Sequence, residues 1–270
     1  MLIEECKKRG AKGVDAYVDN CIVMSQTFED HIHDLTIMMA VLEEAQMSLR
    51  KSKCEFAFSK MEFLGFVVDG STIKPAPSNI NKIIEFPVPD SRKKVQSFLG
   101  IANYNRRFIP RYSELFAPLN RLISSKVEFN WTEVEQLAFE SIRKAFHYSL
   151  SNFLPDWSKK FFVIRTDASK LSVGSVIGRF TDDGSFRPIG YQSETLSKTA
   201  RNWTATEREL YAIISASRKW KTYCYNKVIF YSNHEPLQGI RSQKDPRGKN
   251  CSLDNRIGKL RLFNKISKGV

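Results

Sequence analysis

The sequence predicts a mixed α+β and α/β protein, on three observations. Near the N-terminus, Ala16-Tyr17-Val18 and Cys21-Ile22-Val23-Met24 flank a short polar break, the pattern of a hairpin. Prolines at 75, 77, 87, 89, 110 and 118 then punctuate a stretch of short helical periodicities. Beyond Pro155 the order becomes strand, strand, strand, helix, strand, which is an α/β layer signature.

Taken in order, the polar break of the hairpin is Asp19-Asn20, residue types that favour turns for local backbone reasons. Residues 27 to 48 place Ile32, Leu35, Met38, Met39, Leu42, Ala45 and Met47 at spacings of three and four, an amphipathic helix starting at Thr27. His31 and His33 are two apart on it and point to different faces, so they read as polar surface. Short alternating runs from 53 to 74, broken at Gly65 and Asp69-Gly70, predict a β-meander. Pro77 and Pro87 bracket a short helix with Ile80, Ile83 and Ile84. KKVQSFLGIANYNRRF predicts a longer helix with Val95, Phe98, Leu99 and Ala102 on one side. Thr132, followed by Glu133 and Glu135, caps another that runs to Leu150. KKFFVIRTDAS, SVGSVIGRF and FRPIGYQSE read as strands, with a DDG turn between the last two. ERELYAIISASRKWKTY then reads as a helix and KVIFYSN as a fourth strand.

The chain has 270 residues and a hydrophobic fraction of 42%, enough for one large domain or two small ones with real cores. No run approaches the ~18 apolar residues of a membrane span, and MLIEECKKRG is too early and too mixed in charge for a signal peptide. The expectation is a soluble intracellular protein without a membrane partner, cytoplasmic or nuclear. Five scattered cysteines suggest neither a disulfide framework nor a zinc knuckle. The formal charge of +13 favours a polyanionic partner, the alternative being a solvated basic surface. The basic residues gather in RKSK at 50 to 53, SRKK at 91 to 94, RRFIPR at 106 to 111 and a tail from Arg241. Aromatics interleave with several of them, a combination that can hold a phosphate backbone and pack against sugars or bases.

The motifs AYVDN, SKCEF, EFLGFVV, VQSFLGIANYNRRFIP, APLNRLI, FNWTEVEQLAFESIRKA, LPDWSKKFFVIRTDAS, GSVIGR, RPIGYQSETLS, RNWTATERELYAI and NHEPL follow one another along the chain. In order and spacing they resemble the polymerase polyprotein of gypsy-type long-terminal-repeat retrotransposons, up to about residue 240. The resemblance implies the C-terminal part of a reverse transcriptase palm at 1–75 and a helical thumb at 76–128. It further implies a connection with an RNase H-like mixed sheet at 129–240, and a basic tail at 241–270 that is a truncated RNase H end. It also implies Mg²⁺ or Mn²⁺ as cofactor and an RNA·DNA hybrid or other nucleic acid as partner.

In that family the hairpin carries Tyr-x-Asp-Asp, so Asp19 matches a metal ligand and Asn20 departs from the pattern. Two-metal polymerisation needs carboxylates converging from separate strands. Asp15 cannot supply the second one, since four residues of strand place it roughly 13 Å from Asp19. Phe63, Leu64, Gly65 and Phe66 look like the primer-grip turn, and the helix from Ser91 to Phe108 looks like the thumb helix that lies along a duplex. Core packing is the alternative role, favoured for Phe98 and Leu99 but not for Lys93, Lys94, Arg106 and Arg107. The RNase H-like part has its own two-metal chemistry, in which Asp167 matches the first carboxylate and Glu209 the helical one, while Glu207 faces elsewhere. Asn233 stands where the family has its third aspartate, and nothing before Val270 matches the fourth; Asp254 is the only late candidate besides Asp245, and its setting, SLDNRIGKL, does not resemble that motif. Both metal sites are therefore expected to be incomplete. Three readings follow: a reverse transcriptase and RNase H segment, a nucleic-acid-binding module without catalysis, or a decayed copy that does neither.

Overall fold

A computed structural model describes residues 2–25, 27–147, 151–158, 161–225, 227–232 and 261–263. The chain divides into two compact units, Met1–Phe63 and Leu64–Val270.

In the first unit a short helix α1 (Leu2–Lys8) precedes an antiparallel hairpin of β1 (Val14–Tyr17) and β2 (Asn20–Val23), and helix α2 (Phe28–Glu44) follows. Strand β3 (Lys60–Phe63) ends the unit. Cys6, Ala11, Val14, Met38, Val41 and Leu42 form its core. The turn differs from the expected one by a residue. Tyr17 pairs with Asn20, so Val18 and Asp19 make the turn and Asn20 belongs to β2. Val18 takes φ 56°, a left-handed conformation that costs a β-branched residue about 1–3 kcal/mol.

The register is pinned at the other end of the hairpin. Asp34 of α2, 2% exposed, accepts the N–H groups of Lys12 (3.1 Å) and Gly13 (2.8 Å) and the hydroxyl of Ser25 (3.1 Å), binding the entry to β1 to the exit from β2. Burial alone would raise the Asp34 pKa. The donors from Gly13, Lys12 and Ser25, with His33 beside them, outweigh it and hold the carboxyl below its ordinary value. This also turns α2. Asp34, Met38, Val41 and Leu42 face inward, while Ile32, Met39 and Met47, expected on the core side, are exposed. The helix starts where expected, with the Thr27 hydroxyl accepting the Asp30 N–H.

In the second unit β4 (Phe66–Asp69) pairs antiparallel with β5 (Thr72–Pro75), which pairs with the short β6 (Asn152–Phe153). The expected meander is thus strand only from residue 60 onward; Lys51–Lys53 is a 3₁₀ turn. Helices α3 (Pro77–Ile84), α4 (Arg92–Tyr104), α5 (Tyr112–Leu115), α6 (Ala117–Leu122) and α7 (Glu133–His147) enclose a core of Ile83, Val95, Phe98, Phe116, Phe139 and Phe146. Arg92 belongs to the packing of this layer, donating to the carbonyls of Leu122 and Val127 that end α6 and its following turn. Glu135, fully buried, caps α7 through the Thr132 N–H and pairs with Arg121.

A mixed sheet follows, of β7 (Phe161–Ala168), β8 (Ser172–Phe180), β9 (Phe186–Thr195), β10 (Lys227–Ser232) and β11 (Arg261–Phe263), in the order β11-β10-β7-β8-β9. Strands β7, β8 and β9 are antiparallel neighbours, and β10 runs parallel to β7. Helix α8 (Ala205–Lys219) covers one face with Leu210, Ile213, Ile214 and Ala216 against Phe162, Ile164, Ile177 and Phe230. No helix among the described residues is long and apolar enough to cross a membrane.

Candidate metal centre and nucleic-acid surface

Asp167 is the penultimate residue of β7, exposed at the end of a strand whose preceding residues are mostly buried. Glu209 lies one turn into α8. That helix starts where it does because Thr204 and Glu207 form a reciprocal capping box, which fixes Glu207 at the N-terminus and turns Glu209 toward the sheet. The parallel pairing of β10 with β7 sets Ser232 opposite Thr166 at the same sheet end.

These elements converge on Glu209. Its Oε1 accepts the Ala168 N–H at 3.3 Å, and its Oε2 accepts the Ser232 hydroxyl at 3.4 Å. Burial raises the Glu209 pKa, and the charge of Asp167 raises it further; the bonds from Ala168 and Ser232 oppose both. Two like charges that act on each other in a partly desolvated place are what one divalent cation relieves, and Asp167 and Glu209 are the pair that would hold such an ion. A pair of ions needs more anionic ligands. Among the described residues no group of three or more His, Cys, Asp or Glu side chains could hold a metal. Asn233 lies outside the described residues.

Beside Asp167 a cavity of about 460 Å³ opens between α5 and the sheet face opposite α8, lined by Arg111, Glu114, Arg165, Asp167, Tyr191 and Tyr231 among others. Neither Ser232 nor Glu114 figured in the sequence reading. Ser232 had a signal, since it directly precedes Asn233. Glu114 had none, because it meets the sheet 58 residues away.

Asp19 sits exposed in its turn and accepts the side-chain N–H of Asn20 at 3.1 Å, while Asp15 accepts the Ala16 N–H. Leu64 and Gly65 take φ 50° and 69°. Tyr104 of α4 donates to the Leu64 carbonyl at 2.5 Å, Asn79 of α3 donates to the Gly65 carbonyl at 3.1 Å, and Phe66 stacks on Tyr104 at 5.1 Å. A Cβ on Gly65 would lie 2.7 Å from the Asn79 amide, so this turn needs glycine for space as well as for φ. Phe63 ends β3.

The four basic candidates divide. Lys93 and Lys94 stand exposed on α4, Lys94 paired with Asp90. Arg106 instead donates to the Ser193 carbonyl at 2.7 Å and lies 5.2 Å over the Tyr112 ring. Arg107 lies over Phe108, and its carbonyl accepts from Asn152. The exposed residues of α4 are Lys93, Lys94, Gln96, Ser97, Gly100, Asn103 and Tyr104, mostly polar or basic.

Residues 156–255 match the family described as RNase H-like domain found in reverse transcriptase. The architecture is that of a reverse transcriptase with such a sheet. It superposes on a foamy viral protease-reverse transcriptase in complex with RNA/DNA hybrid with a TM-score of 0.82, at 22% identity over 99% of this chain and 37% of that one. A foamy viral protease-reverse transcriptase in complex with dsDNA gives 0.79, at 23% identity over 97% of this chain and 56% of that one. Over 256 residues the sequence is 31% identical to the Transposon Tf2-7 and Tf2-3 polyproteins of Schizosaccharomyces pombe (strain 972 / ATCC 24843), covering 93% of this chain. The chain spans 18% of the length of these curated relatives, so it is similar to a segment of a retrotransposon polyprotein.

Proposed function

We propose that this chain is a segment of a gypsy-type reverse transcriptase and RNase H that binds RNA·DNA hybrid, with a hydrolytic site at Asp167 and Glu209. In this reading residues 1–75 are the end of a palm, 76–128 a thumb, and 129–240 a connection and RNase H-like domain. The observation that carries it is the convergence of Asp167 and Glu209, 42 positions apart in sequence, at one sheet end with the Glu209 pKa raised. A divalent ion held there, Mg²⁺ or Mn²⁺, would supply an activated water and charge stabilisation at a phosphodiester. Asp167 and Glu209 would hold it, the Ala168 N–H would orient Glu209, and Ser232 would fix the second Glu209 oxygen.

The set is short of anionic ligands. Asn233 offers an amide oxygen without charge, which weakens the hold on two mutually repelling cations. Asp19 belongs to no group of three or more His, Cys, Asp or Glu side chains that could hold a metal among the described residues. The reading therefore includes a nuclease of low activity and no polymerase activity. The test is incubation with labelled hybrid: at most weak Mn²⁺-dependent cleavage and no primer extension are expected. Robust Mg²⁺-dependent cleavage abolished by Asp167→Ala would overturn the claim of a weakened site.

A second reading, a nucleic-acid-binding remnant without catalysis, is favoured by the same ligand shortage beside the exposed basic face of α4. It predicts salt-sensitive hybrid binding with no cleavage in either metal.

A further inference from the structure

On the strand ladder Asp167 pairs with Gly174 and Gly174 with Ser193, so the three form one row across β7, β8 and β9. The helical segment that follows α4 is bolted to that row and beside it. The Ser193 carbonyl accepts from Arg106, and the Ser193 hydroxyl oxygen accepts the Ser113 N–H at 3.0 Å, with Ser193 only 2% exposed. Next to it, Glu114 Oε1 accepts the hydroxyl of Ser172 at 2.8 Å. Ser172 and Ser169 close the β7–β8 turn on each other, through Ser169 N–H to the Ser172 carbonyl at 2.8 Å and Ser172 N–H to the Ser169 hydroxyl oxygen at 3.0 Å. Glu114 is thus attached to the turn that begins just after Asp167.

The attachment is braced from behind. Arg111, whose φ of 51° is unusual for a residue with a side chain, pairs with Glu114 at 2.7 Å. Strained backbone of this kind persists where its surroundings over-determine it. Burial would push the Glu114 pKa up, but hydrogen bonds from Ser172 and Ser169 and the Arg111 charge bring it below the ordinary value, so it is a charged acceptor at neutral pH.

Helix α4 ends at Tyr104, two residues before Arg106. A loop joining α4 to the sheet would let the helix swing; here three polar attachments oppose it. We propose that Arg106, Ser113 and Glu114 clamp α4 against the strand row of Asp167 and so set which point along a bound RNA·DNA duplex faces the Asp167–Glu209 pair. All three are positioning residues, and none touches the reacting atoms. The clamp's role on a duplex rests on the function proposed above; the clamp itself does not.

Non-natural ketone residues at the exposed positions 96 and 170 of the full chain, labelled with nitroxides, report the distance between α4 and the hairpin by pulsed electron resonance. A single narrow distribution is expected, widening about twofold or more in Glu114→Ala/Ser193→Ala. Glu114→Gln has the charge of Glu114→Ala but keeps an oxygen acceptor for Ser172, and it should stay narrow. An unchanged width in the double variant, or an unmodified chain already as wide, overturns the clamp. Should the double variant not fold, Glu114→Ala against Glu114→Gln decides by the same criterion.

An iron chelate at residue 170 then maps hydroxyl-radical cuts on an end-labelled hybrid. One compact cluster is expected for the clamped chain and a spread one for Glu114→Ala, with affinity within about twofold of Glu114→Gln. Identical clusters overturn the register claim. Failure to bind hybrid sinks the proposed function, while the distance measurement still judges the clamp.

Discussion

Glu209 is tied at 3.3 Å to the backbone N–H of Ala168, the residue that follows Asp167, so the helix carboxylate is held beside the strand carboxylate rather than merely near it. The Glu209 pKa is raised by burial and by Asp167, which means the folded state holds its proton more tightly than the unfolded chain does. Its contribution to stability is then most favourable below the unfolded pKa and is lost as pH rises through the folded one. Glu209→Gln should accordingly raise the melting temperature at pH 7 by about 1–3 °C without metal, and by nothing measurable near pH 3. Added Mn²⁺ should reverse the ranking, since it stabilises only the chain that binds it. Thermal melts at the two pH values, with and without Mn²⁺, check this.

Asp34 gives the opposite sign. Its carboxyl is held below the ordinary value by donors from Gly13, Lys12 and Ser25 that outweigh the cost of burial, so its contribution is present above the unfolded pKa and lost as pH falls through the folded one. Asp34→Ala leaves the Lys12 and Gly13 N–H groups and the Ser25 hydroxyl without this acceptor. The expected loss is about 3 kcal/mol at pH 7, shrinking below pH ~4. Hydrogen exchange at the Lys12 and Gly13 amides should accelerate in step; unchanged protection there would show that Asp34 does not set the hairpin register.

These two carboxylates show what was legible in the sequence. Asp167 and Glu209 could be named from motif and helix phase, and the strands, α4, α7 and α8 from periodicity and caps. Asp34 could not, because a helix pattern read from apolar residues alone assigns a carboxylate to solvent. Only the tertiary requirement of two N–H groups at the hairpin entry turns it inward. Arg106 shows the same limit. Its sequence neighbours resemble those of Lys93, and nothing local announces that it donates to a carbonyl 87 residues away while staying exposed. The residues 233–260, which include Asn233, lie outside the described structure.

Gly100 separates stability from binding on α4. It is exposed, and a Cβ there would meet nothing within 4 Å, so Gly100→Ala should stabilise the helix by about 0.5–1 kcal/mol. If the exposed face of Lys93, Gln96, Gly100 and Tyr104 lies against a duplex, the added methyl group should weaken hybrid binding despite the gain. Melting curves and fluorescence anisotropy on one preparation give both numbers; a more stable protein with unaltered affinity would remove this face from the binding surface.

Charge reversal at Lys93 and Lys94 should lower hybrid affinity roughly tenfold near 0.1 M salt and flatten the salt dependence by about one to two units of log–log slope. Neither side chain carries fold packing, so the melting temperature should stay within about 2 °C. An unchanged slope would place the phosphate contacts elsewhere on the chain.

The ligand shortage can be tested by gain of function. Asn233→Asp replaces an amide by a carboxylate of nearly the same shape immediately after Ser232, whose hydroxyl already reaches Glu209. If cation repulsion at an under-charged site is what limits hydrolysis, one added negative charge should raise Mn²⁺-dependent hybrid cleavage by at least about tenfold, the equivalent of ~1.4 kcal/mol of barrier. Asp167→Ala should abolish the gained activity while leaving hybrid affinity intact, since Asp167 contributes no attraction to phosphate. Calorimetry with Mn²⁺ alone should show tighter binding for Asn233→Asp than for the unmodified chain. Tighter metal binding without faster cleavage would mean that charge is not the limiting quantity and that a further ligand is required; no change in either would separate residue 233 from the Asp167–Glu209 pair altogether.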